Sequence, residues 1–195
     1  MKRQYQSYTI STANKDLPVT LEQARQWLRL DEISTQDDEV QAMIMASVSK
    51  IEKQYGMALL EQTVTETRNG FPSNSECPLL LRINPLREIT SITYIDTDGV
   101  KQTWDSALYE TGKAGMDYYV LPAWNESWPS AACRPGSVTI VYKAGFGTAP
   151  KDVPLDIVQA IKLDIGDMDA NRADRVDQLP KASEALLRHY YRFSA

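Results

Sequence analysis

The spacing of apolar positions changes period twice along this chain. It is helical (about 3.6) from Thr20 to Tyr55, alternating (about 2) through Glu61 to Lys143, and helical again from Val153 to Phe193. The pattern predicts two helices, a run of short strands and two further helices. That is an α+β fold class: a framework of about four helices with a β-rich lobe inserted between the second and third. The corresponding boundaries are a flexible N-terminal arm at 1–16, a helical part at 17–56, the lobe at 57–148, and a C-terminal helical part with its tail at 149–195.

Local signals support each element. Thr20 with Gln23 three residues on forms a capping box, and Leu21, Ala24, Trp27 and Leu28 follow at helical spacing, with an end expected near Leu30. The acidic run Asp37, Asp38, Glu39 suits the positive end of a helix dipole. Val40, Met43, Ile44, Ser47, Val48, Ile51 and Tyr55 then form a stripe that Gly56 stops. In the lobe, Ile89 to Ile95 and Val100 to Trp104 flank Asp98-Gly99, the sequence of a two-residue type I′ hairpin turn. Ser137 to Lys143 reads as another strand. Pro122, Pro129 and Pro135 make the intervening stretch too proline-rich for an inner strand. Pro154 opens a third helix with the stripe Leu155, Val158, Ile161, Ile165 and Met168. A polar linker from Asp169 to Leu179 leads to a last helix bearing Leu186, Leu187, Tyr190 and Tyr191. Residues 1–15 are polar and aperiodic, the pattern of an arm that orders against a partner.

Composition narrows the function classes. With 195 residues and 43% hydrophobic content the chain can bury a real core. Its 21 basic residues are scattered against 26 acidic ones, a net charge of −5, so the broad cationic surface that grips duplex DNA is missing. No apolar run approaches the roughly 20 residues that cross a bilayer, and the first 15 residues lack a signal-peptide core, so the chain is expected in the cytoplasm with no membrane partner. Cys77 and Cys133 are expected to be reduced there.

Each enzymatic motif fails on a particular residue. Gly145-Phe146-Gly147 resembles a dinucleotide-binding turn, but Pro150 occupies the third glycine position. Asp167, Asp169 and Asn171 open like a calcium loop, yet Arg172 stands where glycine is needed and Gln178 where a bidentate glutamate is. A single histidine, His189, cannot build a histidine-rich metal site, and no nucleophile elbow occurs. The reading is therefore no catalytic residue, no cofactor and no metal.

The aromatic loop holds more. Trp124 and Trp128, preceded by Tyr118 and Tyr119, suit a core beneath a loop, an interface anchor, or a sugar-stacking platform, which keeps a carbohydrate-binding module as the alternative function ahead of a small hydrolase.

Leu17-Pro18-Val19-Thr20-Leu21-Glu22-Gln23-Ala24 with Trp27-Leu28-Arg29 and Ile51-Glu52-Lys53-Gln54-Tyr55-Gly56 resembles the opening of the head-tail connector proteins of tailed phages and prophages. The resemblance continues through Pro85-Leu86-Arg87-Glu88-Ile89-Thr90-Ser91-Ile92-Thr93-Tyr94 and Val138-Thr139-Ile140-Val141-Tyr142-Lys143-Ala144-Gly145-Phe146-Gly147 to Val153-Pro154 and Ala160-Ile161. It implies a structural virion protein at the capsid–tail junction, assembled in the host cytoplasm. Such a protein forms a homo-oligomeric, commonly twelvefold ring that docks on the portal protein, presents a platform to the next neck or tail-completion protein, and touches DNA transiently in its channel. An acidic balance suits such a channel, because carboxylates repel phosphates that basic contacts would hold. The candidate partner interface is Trp124 and Trp128 with the tail residues Leu186, Leu187, Arg188, Tyr190, Tyr191, Arg192 and Phe193. The tail suits two roles equally, a docking element or a fourth helix packed within the subunit.

Overall fold

A computed structural model describes residues 7–12, 16–30, 36–171 and 182–192. The described elements form two compact units, one made of Glu61–Gly145 with the strand Ser7–Thr12, the other of the described residues of Asn14–Leu60 and Phe146–Ala195.

Among the described residues the first unit holds eight strands: β1 (Ser7–Thr12), β2 (Gln62–Arg68), β3 (Leu79–Leu80), β4 (Leu86–Ile95), β5 (Lys101–Trp104), β6 (Tyr109–Ala114), β7 (Asp117–Pro122) and β8 (Val138–Ala144). They make a five-stranded sheet in the order β1-β2-β8-β4-β5 and a three-stranded sheet in the order β3-β7-β6. Every described pairing is antiparallel. The last strand in sequence, β8, lies between β2 and β4, so Val138, Ile140, Tyr142 and Ala144 alternate into the core opposite Arg68, Glu66, Val64 and Gln62. Residues 7–12, read from sequence as part of a flexible arm, instead form β1 on the edge of this sheet. Short polar strands lack the apolar alternation that identifies them, and the described side chains of Ser7–Ser11 are exposed or half-buried.

The Asp98-Gly99 hairpin forms, but not as a type I′ turn. Only Gly99 has positive φ, 83°, while its N–H bonds to Asp96 O at 3.1 Å and Asp96 N–H bonds to Val100 O at 2.9 Å. Asp96 decides the geometry. Its Oδ1 accepts the N–H groups of Asp98 (3.0 Å) and Val100 (2.8 Å), and its Oδ2 accepts Gln102 Nε2 at 3.0 Å. The Gln102 bond, then the backbone donors, hold its carboxyl below the ordinary carboxylate range. Nothing lies within 4 Å of a Cβ built on Gly99, so a substitution there meets backbone strain alone. Gly99→Val is expected to destabilise this unit by about 1–2 kcal/mol, and Gly99→Asn by much less, read from melting curves.

The second unit packs α1 (Leu21–Leu28), α2 (Asp37–Tyr55), α3 (Leu155–Ala170) and α4 (Ala182–Leu187), the last continued by a 3₁₀ turn at Arg188–Tyr190. The capping box is present in both directions, Thr20 Oγ1 accepting Gln23 N–H and Gln23 Oε1 accepting Thr20 N–H, each at 3.2 Å. Arg29 takes a left-handed conformation, φ 56°, and ends α1 at Leu28. A bidentate Arg25–Asp37 ion pair ties α1 to the start of α2. Val40, Ile44, Ser47, Ile51 and Tyr55 are the buried stripe of α2, which Gly56 ends at φ 61°. The buried face of α3 is Ile157, Ala160, Ile161, Asp164 and Ile165, rotated from the stripe expected from sequence; Leu155 is 83% exposed. A carboxylate in the middle of that face disguises it in a hydropathy pattern. Met57–Leu60 and Phe146–Thr148, read from sequence as ends of the lobe, cluster with the helices, and Phe146 N–H bonds to Leu59 O at 3.3 Å.

Candidate partner interface

Each unit is organised around one buried carboxylate, Glu66 in one and Asp164 in the other. In the sheet unit Glu66 is fully buried on the core face of β2. Its Oε1 accepts Arg68 Nε (2.9 Å) and Nη2 (2.6 Å), and its Oε2 accepts the Tyr142 hydroxyl (3.2 Å) and Arg82 N–H (3.1 Å). Arg68 reaches on to Leu80 O, and Tyr142 Oη accepts Ile83 N–H at 3.0 Å. Burial first, then the Glu66 charge, pushes the Tyr142 phenol far above its ordinary range and keeps it a donor. In the helical unit Asp164 accepts Ser183 Oγ at 2.6 Å, Lys50 Nζ at 3.0 Å and Ser47 Oγ at 3.4 Å, which joins α2, α3 and α4. These carboxylates have their lone pairs filled by structural donors, as buried charge requires.

The signal for Glu66 was present in the alternation itself. Glu66 and Arg68 lie two apart on one face of a strand whose other inward positions include Val64, so an inward ion pair was legible there.

The two loop tryptophans divide. Trp128 is half-buried, stacked on Phe71 at 5.2 Å and 20° and tilted against Trp104 at 5.3 Å, with its Nε1 donating to Asn74 O at 3.0 Å. Tyr94 and Tyr109 complete this aromatic cluster. Trp124 is 87% exposed. It occupies the second position of the turn Ala123–Glu126, closed by Glu126 N–H to Ala123 O at 2.9 Å, with Asn125 at φ 65° as the third residue. A platform of two exposed indoles is therefore not formed, because one ring is consumed by packing. Trp128→Ala is expected to lower stability by about 2–3 kcal/mol and Trp124→Ala by less than about 0.5 kcal/mol in urea unfolding.

The tail residues divide in the same way. Leu187 and Tyr190 are buried, Leu186 and Arg192 half-buried, and Arg188, His189 and Tyr191 exposed; Phe193 lies outside the described residues. Tyr190 Oη donates to Asp156 Oδ1 at 3.1 Å, and His189 Nε2 stands 3.0 Å from Asp156 Oδ2. Tyr191 meets the edge of the Tyr55 ring at 5.9 Å. Burial, followed by the Asp156 charge, raises the Tyr190 phenol to about 12. A phenol whose folded value lies above its unfolded value, about 10, adds stability below pH 10 that is lost as pH rises toward 12. The alkaline destabilisation between those values should be smaller in Tyr190→Phe, measured by helical circular dichroism against pH.

The glycine turn has a structural explanation, whereas residues 172–178 of the calcium-loop-like run lie outside the described residues. A Cβ on Gly147 would stand 2.2 Å from the Asp152 side chain, whose Oδ2 accepts Ala149 N–H at 3.0 Å, so this glycine serves a tight turn. Cys77 and Cys133 are free and exposed. Among the described residues no group of three or more His, Cys, Asp or Glu is placed to hold a metal ion, and no helix is long and apolar enough to cross a membrane.

Two hydrogen-bonded interior carboxylate clusters, a pair of antiparallel sheets and an exposed indole on a closed turn characterise this α+β chain. The chain belongs to the head completion protein family, whose model matches residues 19–164. The fold is similar to that of chains in the neck of an empty gene transfer agent (GTA) particle computed with C6 symmetry (TM-score 0.80, 18% identity, 97% of each chain). It is also similar to chains in the virion of the native GTA particle (TM-score 0.77, 20% identity, 96% of each chain) and in the native neck computed with C12 symmetry (TM-score 0.75, 19% identity, 97% of each chain). No curated protein sequence matches it.

Proposed function

We propose that this chain is a structural, non-catalytic virion protein that forms a homo-oligomeric ring beneath the portal protein, joins the DNA-filled capsid to the neck and tail, and surrounds the path of the DNA. The observation that carries this reading is the head completion match across residues 19–164, joined by a fold likeness that spans 97% of a neck protein. The C6 and C12 symmetries of those neck reconstructions support a ring of six- or twelvefold order, and twelve copies is the number we adopt. Portal protein on one side and the next neck or tail-completion protein on the other are its neighbours. The net charge of −5 supports passage of DNA without retention, since phosphate is held by basic side chains and released by acidic ones.

Assembly in the absence of this chain tests the reading. Particles lacking it should accumulate as DNA-filled heads without tails and should regain tails when the purified chain is added. Normal tail attachment without it would contradict the proposal.

A further inference from the structure

The ring reading requires two different patches on each subunit, one to give and one to receive, because a closed ring is built from heterologous contacts. Resting on that reading, we propose that Trp124 is the giving patch and that it inserts into the hollow between α1 and α3 of the next copy of this chain.

The indole is exposed yet firmly based. Its turn is closed by the Ala123–Glu126 hydrogen bond, anchored before it by Ala123 N–H to Leu108 O at 2.9 Å, and anchored after it by the stacked Trp128. An aromatic anchor on a rigid base loses little conformational freedom when it binds, which is the property that makes tryptophan dominant at interfaces.

The receiving hollow is lined by Gln23, Gln26 and Trp27 of α1 and Lys162 of α3 and has a volume of about 220 Å³. A cavity of about 150 Å³ admits benzene, so this one has room for a bicyclic ring. Its chemistry matches an indole in three ways. Trp27 is 41% exposed and offers a surface to stack on, the Lys162 ammonium offers a cation to a π face, and the glutamine amides offer acceptors to an indole N–H. Trp27 is itself held in place. A Cβ added at Gly166 of α3 would stand 3.3 Å from Trp27 Nε1, so the ring lies close along that helix. Charge agrees as well. Glu126 stands two residues from Trp124, and Lys162 waits in the hollow, so insertion brings a carboxylate toward an ammonium.

The test is site-directed cross-linking of the full chain. In a Cys77→Ser, Cys133→Ser background, Trp124→Cys combined with Gln26→Cys should give a ladder of covalent multimers on oxidation, both in concentrated protein and in isolated particles. The two single variants mixed should stop at dimers. Trp124→Ala should weaken self-association about tenfold or more with an unchanged melting curve. Lys162→Glu should weaken it too, and Glu126→Lys should restore the Lys162→Glu protein by reversing the pair. Rings visible by electron microscopy without a ladder would overturn this contact while leaving the ring reading intact, and that result would also be seen if Trp124 docks on a different neck protein. Absence of rings altogether would overturn the ring reading and the contact with it.

Discussion

Glu66→Ala is expected to destabilise the sheet unit by about 3–5 kcal/mol, the cost of leaving a buried charge without its counterion. The substitution strands the Arg68 guanidinium, only 9% of whose side chain is exposed, and removes the acceptor of the Tyr142 hydroxyl and the Arg82 N–H in the same step. That sum is a large share of the stability of an ordinary domain. Glu66→Gln keeps the shape and part of the hydrogen bonding, so it should cost less. The pair Glu66→Leu with Arg68→Met should recover most of the loss, because replacing both charges leaves neither one orphaned. Urea unfolding followed by the fluorescence of Trp104 and Trp128 measures each. A Glu66→Ala protein that unfolds at the wild-type urea concentration would refute the network.

Asp164→Ala is expected to cost about 2–4 kcal/mol and to loosen α4 in particular. It leaves the buried hydroxyls of Ser47 and Ser183 without their acceptor. Lys50 adds little to that figure, since its side chain is 41% exposed and water screens the pair. Ser183→Ala removes one of the three bonds and should cost about 1 kcal/mol. Hydrogen exchange separates the two variants by location. Both should speed exchange across residues 182–190, but only Asp164→Ala should also speed it along α2 near Ser47. Uniform exchange across the helical unit in Asp164→Ala would show that α4 is not held through this carboxylate.

Helices were legible in the sequence where a cap and a stripe coincide. Thr20 and Gln23 mark the start of α1, and Gly56 marks the end of α2, because each of these residues has a backbone role that few others perform. The face of α3 was misread because Asp164 stands where the pattern demands an apolar residue; a buried charge becomes intelligible only when its donors arrive from α2 and α4, 114 to 117 residues upstream and 19 downstream. β1 was missed for the opposite reason, since a polar edge strand carries no period of its own and is specified by the hydrogen bonds of β2. The hairpin at Asp98-Gly99 was found and its type was not, because the side chain of Asp96 captures the turn from outside the dipeptide.

The candidate interface was legible as composition and not as geometry. Sequence placed Trp124 and Trp128 together as neighbours of equal promise, and only packing against Phe71 and Trp104 distinguishes the structural ring from the exposed one. In the tail, Leu187 and Tyr190 pack within the unit, the arrangement expected of a fourth helix. Arg188 and Tyr191 remain on its surface, where a docking role for the tail has residues to use.

Electron cryomicroscopy of the particle neck is the decisive measurement for the proposed ring at the junction of head and tail. A closed ring of twelve copies is expected between portal protein and the next neck protein, enclosing the DNA path. A particle whose neck density lacks this fold, or holds it as isolated subunits away from the DNA axis, would contradict it.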